Sequence, residues 1–200
     1  MNFYQKPYPG LSSVLSQQNL PVLFDAPNFN DLFCLRDKAM LELLYGCGLR
    51  ASELAGLKIS GINFAQGYLR VWGKGKRERL VPIGNKAIKA VQEYLQNLRP
   101  KLVSIHSGDF LFLSKSGHPL NRIEVWRIFK HYTHKAGFPI NIVTHDMRRA
   151  FATHLLQGGA DLDSVRLMLG HANLSTTQRY LFISLDQLKV TCKKYHPAFS

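Results

Sequence analysis

Strand-like alternation occupies little of this chain, and its clearest instance is one hairpin: YLRVWG and RERLVPI flank Lys74-Gly75-Lys76. β-Branched residues at alternate positions suit half-buried strands, and glycine suits the bend between them. A further apolar run, FLFLS (110–114), is expected to add a strand. The remaining patterned stretches repeat at helical spacing. The predicted fold class is therefore mixed α+β, mainly α-helical with a small antiparallel sheet, in one compact domain.

The helices are marked by their ends. RDKAMLELLYGCGLR places Ala39, Met40, Leu43 and Leu44 on one face and stops at Gly46 and Gly48. Ser52 is expected to cap SELAGLK, and residues 86–98 form a helix that Pro100 stops. Asn121 and Glu124 form a cap pair before VWRIFKHYTHKA, which ends at Gly137. Thr144 is expected to cap the helix bearing His145, Arg148 and Phe151, closed by Gly158-Gly159. Asp161 caps LDSVRLMLG, Gly170 ends it, and Ser175 with Gln178 starts a short helix before Tyr180. LDQLKVTCKKY is a last amphipathic helix. Residues 1–20 read as a linker or incoming arm, 21–184 as the domain, and 185–200 as a closing segment.

The chain has 200 residues, enough to bury a large core without staples, and 46% hydrophobic against 20% charged residues excludes a disordered chain. A net charge of +13 is less ordinary and favours a polyanionic partner. Three cysteines without a CxxC pair fit reduced thiols in the cytosol. Cys34 and Cys47, in apolar surroundings, are expected to be buried small hydrophobes. The N-terminus lacks signal-peptide order and no apolar run reaches a membrane span, so a soluble cytoplasmic protein is expected.

Six residues carry a common chemistry. Cleaving a phosphodiester with a phenol requires an in-line nucleophile and neutralisation of growing oxygen charge; one proton must leave the phenol and another reach the departing 5′-oxygen. Arg suits charge neutralisation because its planar fork binds two oxygens and stays protonated. His145 and Arg148 are three apart on one helical face. Arg50 follows a glycine-stopped helix near a capped helix start, where backbone N–H groups also favour anions. Lys74 sits on a hairpin tip, His171 follows the helix end at Gly170, and Tyr180 follows a capping box.

Taken singly, each has an ordinary reading: a solvated His-x-x-Arg face, a core tyrosine ring, an exposed turn lysine, a histidine at a helix C-terminus. His131 and His134 are also three apart, but no third ligand is in view and no metal is expected. Their joint occurrence is what points to DNA strand chemistry.

The segments RDKAMLELLYGCGLRASELAGL, GKGKRERLVPIG and THDMRRAFATHLLQGGADLDSVRLMLGHANLSTTQRY, with the His196-Pro197 ending, resemble the catalytic domain of the tyrosine recombinase (phage integrase) family, most of all its Xer branch. The resemblance implies the DNA breaking-rejoining fold and site-specific DNA recombination, used in integration, resolution or chromosome partition. It gives Arg50 and Arg148 the role of phosphate clamp and Lys74 that of proton donor to the leaving group. His145 assists proton transfer, His171 hydrogen-bonds the scissile phosphate, and Tyr180 is the nucleophile of a 3′-phosphotyrosyl intermediate. No cofactor, metal or ATP is implied, because the covalent link conserves the bond energy.

The implied partners are double-stranded DNA, other protomers (a homo- or hetero-oligomer, a tetramer on paired sites) and a translocase regulator at the nucleoid. The segment 185–200 is expected either to dock on a neighbouring protomer or to close its own core. Arg149 stands where the family pattern has His, and the family's N-terminal core-binding domain has no counterpart in residues 1–20. The chain is therefore read as a fragment, half of a split gene or a compact single-domain enzyme. Type IB topoisomerase-like relaxation and a non-catalytic DNA-binding fragment are the alternatives.

Overall fold

A computed structural model describes residues 15–73, 78–170 and 185–199. In chain order the described helices are α1 (Leu20–Asp25), α2 (Cys34–Gly46), α3 (Ala51–Ala55), α4 (Asn85–Asn97), α5 (Arg99–Leu102), α6 (Arg122–Lys135), α7 (Thr144–Gly158), α8 (Leu162–Leu169) and α9 (Leu185–Tyr195). Strands β1 (Ile62–Asn63), β2 (Tyr68–Trp72) and β3 (Glu78–Pro82) form an antiparallel sheet in the order β1-β2-β3. The mainly helical fold with its small sheet is as the sequence predicts.

Helix α2 is the axle of the domain. Ala39 to Gly46 are all buried, together with Arg36 and Asp37, so the helix is covered on every side rather than along one stripe. It packs between α4 and α7, and the same core takes in Leu69, Val71 and Val81 of the hairpin. Burying Arg36 and Asp37 is tolerated because each is bonded: Arg36 Nε to Asp37 at 2.7 Å, Arg36 Nη1 to the Leu113 carbonyl at 3.0 Å, and the Tyr132 hydroxyl to Asp37 at 2.9 Å. A second cluster joins Phe151 and Leu155 of α7, Met168 and Leu169 of α8, and Leu188 and Cys192 of α9. Helix α9 thus packs on α7 and β3 of its own chain. Where the arm is described, Leu15 and Leu20 are buried in the main core.

Several local expectations are corrected. The run at 110–114 is no strand: it makes only isolated bridges, Lys58 to Phe110 and Leu113 to Pro119. Side chains replace a ladder there. Arg99 donates to the carbonyls of Phe110 and Leu111, and the Tyr94 hydroxyl accepts the Leu113 N–H at 3.2 Å. Pro100 does not end the helical path; it occupies the first turn of α5, where its missing N–H costs nothing. Cys47 is buried as expected, but Cys34 is half-buried because it opens α2 at the surface.

Two caps also move. Arg50, not Ser52, is the N-cap of α3, and Glu53 accepts its N–H. Val143, not Thr144, precedes α7, and Asp146 accepts the Val143 N–H at 2.9 Å. The caps at Asn121 and Asp161 and the left-handed ends at Gly159 and Gly170 are as predicted.

Candidate active site

Arg50, His145 and Arg148 are described; Lys74, His171 and Tyr180 lie outside the described residues. The hairpin expected to carry Lys74 is paired from Tyr68–Pro82 to Trp72–Glu78, with Lys74 in the connection between its strands. Gly170 closes α8 at φ 63°, directly before His171.

The described part of the site is organised by a residue the sequence reading passed over. Glu53 of α3 is buried, its side chain 3% exposed, and its carboxylate faces three arginines. Arg50 gives it a backbone N–H at 2.8 Å and Nη1 at 2.7 Å. Arg79 of β3 grips it with both ends of its fork, Nη1 to Oε1 at 2.8 Å and Nη2 to Oε2 at 2.9 Å. Arg148 of α7 brings Nη1 to 3.6 Å from Oε2. Burial alone raises the Glu53 pKa, but the bonds and charge of Arg79, followed by the bonds from Arg50, reverse this and hold it at about 2. The carboxylate is therefore ionised at neutral pH, and three positive charges face one negative.

Arg50 and Arg148 are built differently. The Arg50 side chain is 42% exposed, whereas that of Arg148 is 3% exposed. Arg148 Nη1 donates to the Gly48 carbonyl at 2.8 Å and Nη2 to the Leu169 carbonyl. It thereby ties the turn after α2 to the end of α8. Gly48 makes this close approach possible. Its φ is +57°, and a Cβ there would lie 2.5 Å from the Phe151 ring, so only glycine fits. The N–H of Arg50 is occupied by Glu53, so that donor is not offered to an anion.

His145 lies exposed in the first turn of α7. Its pKa is lowered by partial burial and then by the charges of Arg149 and Arg148, with a smaller push from Arg50 against the pull of Asp146. A neutral imidazole beside a cationic cleft can accept or share a proton. Arg149, half exposed, pairs with Asp146 at 3.6 Å.

Arg79 and Glu53 both had a signal in the sequence. Arg79 has the strand register of Val81, so alternation points it inward, where a charge needs a partner. Glu53 is the third residue after the cap position of a helix, where a carboxylate reaches back to the cap N–H.

The chain has clear relatives among known proteins. The chain is 48% identical over 184 residues to tyrosine recombinase XerD of Proteus mirabilis, covering 92% of this chain and 59% of that protein. It is 45% identical over 190 residues to XerD of Chlorobaculum tepidum, covering 94% and 62%. The chain thus spans about three fifths of the length of these curated relatives. The solved XerA recombinase superposes with a TM-score of 0.71 at 28% identity, covering 92% of this chain and 65% of that one. An integrase from mycobacterium phage Brujita shares the fold, with a TM-score of 0.72 at 22% identity over 91% and 57% of the two chains. The phage integrase family model matches residues 13–184, a span that runs from the core helices through the hairpin to Tyr180. With Arg50 and Arg148 drawn around one buried carboxylate inside that span, the chain belongs to the phage integrase family, and its relatives place it with the Xer-like tyrosine recombinases.

Proposed function

We propose that this chain carries the catalytic part of a site-specific DNA recombinase that cuts and rejoins double-stranded DNA by transesterification. The observation that carries the reading is the convergence of Arg50, from the turn after α2, and Arg148, from α7, on Glu53 with His145 beside them. Two guanidiniums held to one side of a cleft can bind both non-bridging oxygens of a phosphodiester and stabilise the charge that grows on them. His145, its pKa lowered by partial burial and then by its cationic neighbours, can take the proton of an attacking hydroxyl.

Tyr180 is the nucleophile in this reading. Its phenolate attacks phosphorus, a phosphotyrosyl bond forms, the bond to the 5′-oxygen breaks, and Lys74 protonates the oxygen that leaves. His171 hydrogen-bonds the same phosphate. Attack by a 5′-hydroxyl reverses each step, so no external energy source is required.

The relatives support this by name, being tyrosine recombinases. A solved XerH recombinase of the same fold is bound to its palindromic difH substrate in a post-cleavage complex. The net charge of +13 supplies the attraction to the phosphate backbone. Assembly of several protomers on paired sites, docking of 185–200 on a neighbour, control by a translocase and a cytoplasmic setting at the nucleoid belong to the same reading and rest on the resemblance. No helix among the described residues is long and apolar enough to cross a membrane.

A nicked suicide duplex carrying the target site tests the proposal. The chain is expected to become covalently joined to the 3′-phosphate, and Tyr180→Phe to abolish the adduct while retaining DNA binding. A Tyr180→Phe protein that still forms the adduct refutes the assignment.

A further inference from the structure

Arg79 is the best-bonded surface-proximal cation in the described site, and nothing in the six-residue chemistry uses it. Its fork closes on both oxygens of Glu53, and its Nε donates to the Met168 carbonyl at 2.8 Å. One side chain thus joins β3 to α3 and to the last turn of α8. Its contact with the helix end is close: a Cβ on Gly170 would lie 3.0 Å from Arg79 Cδ and 3.3 Å from its Nε and Nη1. Gly170, with φ +63°, is left without a side chain where Arg79 passes. The Arg79 side chain is 12% exposed, against 42% for Arg50. It therefore faces the protein, and Arg50 faces solvent.

We propose that Arg79 is a positioning residue for the phosphate clamp. It satisfies the Glu53 carboxylate so that Arg50 stays available to a phosphate, and it fixes the end of α8 from which the chain passes to His171.

The physical reason is competition for one anion. Glu53 accepts from Arg50 and Arg79, with both of its oxygens held by Arg79, and it is ion-paired to Arg148 at 3.6 Å. Remove Arg79, and the buried carboxylate has two cations left to satisfy it. These are the two on which the phosphate depends. Arg50 already has Nη1 on Oε1, and Arg148 lies 3.6 Å from Oε2, within reach of a direct bond after a small shift. Each step of Arg50 toward Glu53 takes a donor away from a bound phosphate. The Met168 carbonyl also loses its cationic partner at the helix end.

This inference rests on the recombinase reading, and the experiment separates the two. The full chain is compared as wild type, Arg79→Met, Arg79→Lys, Glu53→Gln and the double variant Arg79→Met with Glu53→Gln. Single-turnover adduct formation on the nicked duplex is measured beside duplex affinity. Arg79→Met is expected to slow the adduct roughly 10- to 100-fold, the loss of one charge-assisted contact felt at the transition state, with duplex affinity little changed.

The double variant is the decisive arm. If Glu53 captures Arg50, removing its charge returns Arg50, and the double variant cleaves faster than Arg79→Met alone. A purely structural Arg79 gives a double variant slower than either single one. That result, or Arg79→Met cleaving at the wild-type rate, overturns the proposal. Should Arg79→Met unfold, Arg79→Lys decides instead: it keeps the charge but cannot span both oxygens and Met168. An intermediate rate with a native circular dichroism spectrum supports the proposal, and a wild-type rate overturns it.

If the wild type itself forms no adduct, the recombinase reading fails, and inorganic phosphate then tests Arg79 alone. The His145 ring resonances report phosphate entry, which Arg79→Met should weaken about tenfold; unchanged phosphate affinity overturns the proposal.

Discussion

Glu53→Gln isolates the electrostatic core of the site in one isosteric change. In the native state the carboxylate is 3% exposed and receives the Arg50 N–H, Arg50 Nη1 and both Arg79 Nη groups, with Arg148 at 3.6 Å. These partners outweigh burial and lower its pKa from the ordinary 4.5 to about 2. At about 1.4 kcal/mol per pH unit, that depression corresponds to about 3 kcal/mol of stability above pH 4.5. Gln is neutral and turns an NH2 toward guanidinium donors, so the total cost at pH 7 is expected at about 3–5 kcal/mol.

The sign of the pH dependence follows from the depressed pKa. Glu53 is protonated in the unfolded chain below about 4.5 and in the native state only near 2. Its contribution is complete above pH 4.5 and is lost as pH falls from there toward 2. Gln cannot titrate. The gap between wild type and variant should therefore be flat from pH 7 to about 5 and close progressively below it. Urea unfolding at pH 7, 5, 4 and 3 measures this gap. A gap under about 1 kcal/mol at pH 7 means the three arginines do not depend on Glu53 in the way described. A gap that stays constant down to pH 3 means the carboxylate is not held ionised by its partners.

Two further perturbations probe the scaffold. Gly48→Ala puts a Cβ 2.5 Å from the Phe151 ring at φ +57°, with an expected cost of about 2–5 kcal/mol in thermal unfolding; adding Phe151→Leu should recover only the part due to the ring, and full recovery refutes the backbone strain. His196 packs between Tyr45 and Phe151, both ring centroids at 4.8 Å, and burial, with a smaller push from His154, lowers its pKa from 6.5 to about 3. Protonation therefore favours the unfolded chain: stability is full above about pH 6.5 and falls from there toward pH 3, a window that opens before Glu53 titrates. His196→Asn should flatten the decline in unfolding free energy between pH 6.5 and 5, and an unchanged slope contradicts the assignment.

Much of the scaffold was legible because its punctuation is local. Asn121, Asp161, Gly159 and Gly170 sit where a helix must start or stop, and each acts through its own backbone or a neighbour three residues away. The hairpin was legible for the same reason. What was missed depends on distant partners. The 110–114 run is apolar like a buried strand, yet its carbonyls and N–H groups are bonded by Arg36, Arg99, Tyr94 and Leu57, residues from 11 to 77 positions away. Helix α2 was expected to show one apolar face, because no local pattern reveals that Arg36 and Asp37 are also buried as a pair. Glu53 and Arg79 are 26 positions apart, so although each carries a local signal, their pairing shows only when the fold brings them to one point.

The charge of the site bears on why a carboxylate belongs in it at all. Three arginines without Glu53 would carry three positive charges and grip any phosphate strongly, including the ground state of the substrate. Binding of that uniform kind lowers the energy of reactant and transition state alike and does not speed the chemical step. With Glu53 in place the cluster carries two positive charges, with Arg79 and Arg148 largely turned into the protein and Arg50 toward solvent. A phosphodiester carries one negative charge; the five-coordinate state reached when a phenolate attacks it carries two. On the proposed reading, the buried carboxylate brings the site closer to the charge of that state than to the charge of the substrate. It also holds the guanidiniums in place beforehand, so that little reorganisation remains when the charge develops.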